Sequence, residues 1–114
     1  MSPAATKHAL AAALALLLGA LSLGATPRVR KPVTHRVVIE GTSFKPAILT
    51  VKTGDSVVWT NKDPFSHTAT SQAGGFDSKA IAEGRSWTYL TARKGDFAYI
   101  CTYHTTMKGR LRVE

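Results

Sequence analysis

The chain has 114 residues, with 15 Lys and Arg against 7 Asp and Glu and a single cysteine. That length sets one domain as the expectation, and one cysteine excludes an internal disulfide. The net charge of +8 comes without any nucleic-acid recognition motif, which leaves an acidic protein surface, an anionic membrane surface or plain solubility as its purpose.

Residues 1–25 read as an export signal. Lys7 and His8 precede an apolar run from Ala9 to Leu23, and the small residues Ser22, Gly24 and Ala25 offer a cleavage point near Gly24–Ala25. The run is short for a membrane span, which needs about 20 apolar residues; a retained N-terminal anchor is the alternative. No twin-arginine pair precedes it, which favours export of the unfolded chain with metal loaded afterwards, in the periplasm or an equivalent exported location. Without Lys7, 14 basic residues face the same 7 acids, a net charge of +7.

Residues 26–35, with Pro27, Pro32, Arg28, Arg30, Lys31 and His35, read as a basic, solvated lead-in to a domain spanning 36–114. From there the apolar pattern has period two. Val37 and Ile39, Leu49 and Val51, Val57 and Trp59, Trp87 and Tyr89, Phe97 with Tyr99 and Cys101, and Leu111 and Val113 each alternate with residues of the opposite face, the pattern of half-buried strands. Turn signals separate them at Gly41-Thr-Ser, Thr53-Gly-Asp, Asn61-Lys-Asp-Pro64, Gly74-Gly75, Glu83-Gly84 and Lys94-Gly-Asp. No long amphipathic helix is evident. Seven or eight short strands predict an all-β fold, an antiparallel sandwich with Greek-key links. Tyr99, two residues before Cys101, suits either a corner hydrogen bond or a core position with its hydroxyl at the rim.

The chemistry concentrates near the C-terminus, in Cys101-Thr-Tyr-His104-Thr-Thr-Met107. Taken singly, a cysteine is most often a small buried hydrophobe, a methionine a gap filler and a loop histidine a solvated residue. Together, a thiolate, an imidazole and a thioether at intervals of three bring their donors to one side of a tight loop. With a second imidazole they form the ligand set of a mononuclear blue-copper site, two His and one Cys in a trigonal plane with a weak axial Met. His67, beyond the strand that ends near Asn61, is the candidate for that second imidazole. Zinc is the alternative metal, but zinc sites rarely use a thioether. A lone thiol in an exported protein is also accounted for by ligation. His8 leaves with the signal, and His35 is expected to be solvated.

The stretch Gly95-Asp-Phe-Ala-Tyr-Ile-Cys-Thr-Tyr-His-Thr-Thr-Met-Lys-Gly-Arg resembles the copper-binding C-terminus of the cupredoxins, within them the plastocyanin and amicyanin group. The Cys-x-x-His-x-x-Met spacing is similar to that of amicyanin. The run Val57-Val-Trp-Thr-Asn-Lys-Asp-Pro-Phe-Ser-His-Thr-Ala-Thr resembles the segment with the first ligand, and Phe76-Asp-Ser one that often follows it. The resemblance implies His67, Cys101 and His104 as equatorial ligands and Met107 as the axial one, around one type 1 copper per chain. It also implies that His104 lies in an apolar patch, with Pro64, Phe65, Thr105 and Met107 as neighbours, where electrons enter and leave. Two positions depart from the family pattern. Thr68 stands where Asn is common; it keeps the backbone N–H for the Cys sulfur but alters the side-chain tie to Thr102. Tyr103 stands where Pro is common, and its N–H is expected to give Cys101 a second hydrogen bond, so that Tyr103→Pro would lower the reduction potential.

The expectation is therefore a monomeric, exported electron carrier with protein redox partners and no reaction of its own on a substrate. Lys108, Arg110 and Arg112 suggest that at least one partner is acidic. A copper carrier or chaperone without an electron-transfer role is the alternative, although the chain has no Met-rich or His-rich tract. A hydrolase using Cys101 and His104 needs a cleft, an oxyanion site and usually a third orienting group, for which a sandwich of about 90 residues offers little room, and a plain adhesion sandwich explains neither the thiol nor the spacing.

Overall fold

Alternation of apolar and polar side chains builds two layers here, as the period-two pattern requires. The computed structural model describes residues 29–114; the expected signal segment lies outside the described residues. Eight strands follow in chain order: β1 (Thr34–Ile39), β2 (Phe44–Lys45), β3 (Ile48–Val51), β4 (Ser56–Asn61), β5 (Thr70–Ser71), β6 (Ser86–Leu90), β7 (Gly95–Cys101) and β8 (His104–Val113). The described residues contain no helix.

The strands form two four-stranded sheets, ordered β2-β1-β4-β6 and β3-β8-β7-β5. Both sheets are mixed and not wholly antiparallel as expected: β1 runs parallel to β4, and β3 parallel to β8. Topology is the cause. The chain leaves the first sheet after β2, forms β3 in the second, and returns as β4 beside β1. A return by way of the opposite sheet is a crossover connection, the kind parallel neighbours need. The short strands β2 and β5 carry no alternating signature of their own. They exist because they pair with β1 and β7.

The inner faces meet around Trp59, which is fully buried. Its ring centroid lies 5.5 Å from Phe76, 5.6 Å from Trp87 and 5.6 Å from Tyr99. Such aromatic contacts add to plain burial. Tyr99 is neither rim-exposed nor a corner residue. Its hydroxyl is buried and accepts from Trp59 Nε1 at 3.3 Å, and burial pushes its ionisation up to about 12. Gly109, opposite Tyr99 on β8, makes room for that ring: a Cβ there would lie 2.2 Å from Tyr99 Cζ.

At the start of β4, remote from Asn61, Asp55 is buried and accepts from Val33 N at 2.9 Å and Lys52 N at 3.1 Å. His35 Nε2 is 2.9 Å from its second oxygen. His35 is thus a half-buried residue of β1 and not a solvated part of the lead-in. The outer face of β8 carries Lys108, Arg110 and Arg112 beside Asp96, which lies 3.0 Å from Arg110 and 3.8 Å from Arg112. Among the described residues no acid pairs with Lys108.

Candidate metal centre

One end of the sandwich gathers His67, Cys101 and His104. Cys101 ends β7 and is fully buried; His104 opens β8 and is exposed; only Thr102 and Tyr103 separate the two strands. The expected ligand loop is therefore a hairpin turn, with Cys101 paired to His104 across it and an irregularity in register at Ile100/Cys101. An odd residue count of this kind bends a strand and re-aims a side chain. Met107 lies within β8 itself, buried.

His67 arrives from the segment between β4 and β5. Its backbone is clamped to Ile81, His67 N to Ile81 O at 3.2 Å and Ile81 N to His67 O at 2.7 Å. The preceding turn is shaped by the buried side chain of Asn61. Its Nδ2 donates to Phe65 O at 2.8 Å and Ile81 O at 2.9 Å, and its Oδ1 accepts from Asp63 N at 2.9 Å. The Asn-Lys-Asp-Pro run, a turn signal in the sequence, thus also supports the candidate ligand.

His67, Cys101 and His104 each present one donor atom, and these atoms lie within 4.8 Å of one another. Cys101 Sγ is 3.6 Å from His67 Nδ1 and 3.9 Å from His104 Nδ1. An ion held in a plane at ~2.0–2.3 Å from three N and S donors requires separations of roughly 3.5–4 Å, so the two sulfur–nitrogen distances fit a metal. A free thiol with two imidazoles, and no carboxylate among the three, suits a soft, borderline ion such as copper.

Cys101 Sγ accepts from Thr68 N at 3.4 Å. The Thr68 hydroxyl accepts from Thr102 N at 2.9 Å and lies 3.1 Å from Thr102 Oγ1. This strap joins the His67 segment to the hairpin, as expected for Thr at that position. The second expected bond, from Tyr103 N–H to the sulfur, is not formed. In the two-residue turn the amide that finds an acceptor is Thr102 N–H, on Thr68.

Phe65 lies against both imidazoles, with ring centroids 5.1 Å from His67 and 5.8 Å from His104. Phe65 and Tyr103 are exposed large apolar side chains at this end, and Pro64 is exposed beside them. A surface hollow of about 330 Å³ lies elsewhere, over Ala98, Lys108 and Gly109, with none of the three donor residues in its lining.

In the sequence Asp63 marks only part of a turn. It is buried, and its Oδ2 lies 2.8 Å from His67 Nε2. The amide of Thr42, followed by that of Gly41 and the His67 ring, holds its carboxyl below the usual range against the opposing effect of burial. A polar residue four positions before a candidate His ligand was the available signal, and it is too common to be specific.

Comparison with known proteins agrees with this geometry. The family model described as cupredoxin-like domain matches residues 9–113. Amicyanin-alpha of Methylorubrum extorquens is 29% identical over 115 residues, covering 93% of this chain and 97% of that protein. A chloroplastic plastocyanin of Tetradesmus obliquus is 33% identical over 72 residues, 54% of this chain, and the chain spans only 50% of that relative's length. Among solved structures, an oxidised single-substitution variant of amicyanin superposes with a TM-score of 0.67 at 26% identity, covering 71% of this chain and 82% of that one. A copper-containing nitrite reductase from Thermus scotoductus gives 0.65 at 30% identity, over 81% of this chain but 24% of the enzyme. With the fold, the donor cluster and a family match over residues 9–113 in agreement, the chain belongs to the cupredoxin-like family.

Proposed function

We propose that this chain is an exported, monomeric type 1 copper protein that carries single electrons between protein partners. His67, Cys101 and His104 serve as equatorial ligands and Met107 as the axial one. The observation that carries the reading is the convergence of two imidazole Nδ1 atoms on one buried thiol sulfur, at 3.6 and 3.9 Å. Copper bound there supplies a one-electron couple. The protein residues do the rest. His67 and Cys101 are buried and keep water from one side. Two sheets, the Ile81 clamp and the threonine strap hold the donors in place, so little needs to move when the ion's charge changes. His104, exposed beside Phe65, Pro64 and Tyr103, offers an apolar docking patch. Lys108, four residues along β8, favours a partner with an acidic rim, and steering by it weakens with salt.

The deciding measurement is the visible absorption and Cu(II) EPR spectrum of residues 25–114 with added copper, beside Cys101→Ser. An intense thiolate-to-copper band with small hyperfine splitting, lost in Cys101→Ser, is the expected result. A colourless Cu(II) complex of the unsubstituted protein would overturn the reading.

A further inference from the structure

The side chain behind His67 has a support of its own, outside both ligand segments. Asp63 Oδ1 accepts from Gly41 N at 2.8 Å, and Oδ2 accepts from Thr42 N at 2.9 Å and lies 2.8 Å from His67 Nε2. Asp63 N–H is taken by Asn61. Every one of these contacts presents a proton to the carboxylate or relieves its backbone, and the group is almost wholly buried.

A carboxylate only accepts, so the proton on the His67 ring sits on Nε2. In the neutral ring the other nitrogen, Nδ1, then carries no proton, and it is the one that faces Cys101 Sγ at 3.6 Å. The tautomer required of a metal ligand is set on the side of the ring away from the metal.

The turn that supports the carboxylate is itself unusual. Gly41 and Thr42 both lie in the left-handed region, with φ of 61° and 56°. Successive amides in such a turn form a concavity for an anion. A β-branched residue at positive φ is an outlier, and outliers persist where the surroundings over-determine them. Here the two amides close on one carboxylate oxygen each.

The geometry points to Asp63, seated on the Gly41 and Thr42 amides, as the positioning residue that holds His67 in its Nε2–H tautomer and biases the bound metal toward its higher charge. A backbone carbonyl behind Nε2 would fix the same tautomer. An anionic acceptor also makes the imidazole a stronger donor, which favours Cu(II) over Cu(I) and lowers the reduction potential. This inference rests on His67 being a copper ligand, and its test separates the two claims.

The test compares the unsubstituted protein with Asp63→Asn, Asp63→Ala and Thr42→Gly. Long-range 1H–15N NMR of the metal-free proteins reads the His67 tautomer. Nε2–H is expected in the unsubstituted protein, in Thr42→Gly, which keeps the amide, and in Asp63→Asn, which keeps an oxygen acceptor. A mixture with Nδ1–H is expected in Asp63→Ala. Voltammetry of the copper-loaded proteins should place Asp63→Asn higher by about one decade or more of Cu(II)/Cu(I) preference, 59 mV per decade for one electron. Competition with a chelator should show Cu(II) held ~10–100-fold more weakly in Asp63→Ala. An unchanged tautomer in Asp63→Ala, or an unchanged or lower potential in Asp63→Asn while the blue band persists, would overturn the role of Asp63. Loss of the band from the unsubstituted protein would instead overturn the copper reading, and the metal-free NMR comparison would still decide the positioning role. Should Asp63→Ala fail to fold, Asp63→Asn carries the decision through its potential.

Discussion

The two imidazoles of the candidate site are the same group in opposite circumstances. His67 is fully buried, clamped through its backbone to Ile81 and tied through Nε2 to Asp63. His104 stands exposed at the mouth of a two-residue hairpin turn, touched by the Phe65 ring. One is held by side-chain hydrogen bonds from a loop, the other by strand pairing at the end of β8. Under the proposed function the difference separates two requirements: one ligand must not move, and another must be reachable from outside.

The largest expected effect tests that division directly. With each ring replaced by glycine, copper-loaded His104→Gly should recover an intense visible band when imidazole is added, because its site opens to solvent. His67→Gly should not, because no path reaches its buried position. Equal recovery in both would break the comparison.

Next in size are the supports of the two regions. Asn61→Ala removes three hydrogen bonds from the buried loop and should lower unfolding free energy by about 2–3 kcal/mol, since each orphaned buried group carries a desolvation penalty. On the hairpin side, Gly109→Ala drives a methyl into Tyr99 and should cost ~1–3 kcal/mol by overpacking. Urea titrations of the metal-free variants measure both. A loss under 0.5 kcal/mol for Asn61→Ala would mean that strand packing, and not side-chain bonding, holds the loop.

Tyr99 extends the hairpin side to alkaline pH. Its folded-state ionisation, about 12, lies above the ordinary value of about 10. A raised value means that the stabilisation is complete below pH 10 and is lost as pH climbs from 10 toward 12. That loss amounts to about 2–3 kcal/mol, seen as a fall in melting temperature that Tyr99→Phe should flatten. The smallest effect belongs to the strap between the two regions. Thr68→Val removes the hydroxyl that Thr102 N–H uses and should cost about 1 kcal/mol. It keeps the Thr68 N–H on Cys101 Sγ, so the reduction potential should stay within a few millivolts, as voltammetry would show.

Much of this was legible in the residues alone. Alternating pairs such as Val57 with Trp59 and Leu111 with Val113 marked the strands, because a pleated chain with one buried face must alternate. Cys101 and His104 are close in sequence, so their spacing alone brought them to one end of one hairpin. His67 was found because a strand-ending turn with a histidine beyond it can reach the same end. All of these are local relations, set within a few residues of chain.

Tertiary structure decided whatever depends on partners distant in sequence. The parallel pairing of β1 with β4 follows from the path of the chain between sheets and leaves no mark on either strand. Asp63 becomes the partner of His67 only when the Gly41 and Thr42 amides, some twenty residues earlier, arrive to hold it. Gly109 makes room for Tyr99 only through the register of β7 on β8. The Tyr103 amide, free in sequence to meet the sulfur, does not do so once Thr102 and Tyr103 become a turn. The physical reason is common to all four. Periodicity and spacing report the geometry of a single chain segment, whereas hydrogen bonds and steric fit between segments exist only after the fold has chosen which ones meet.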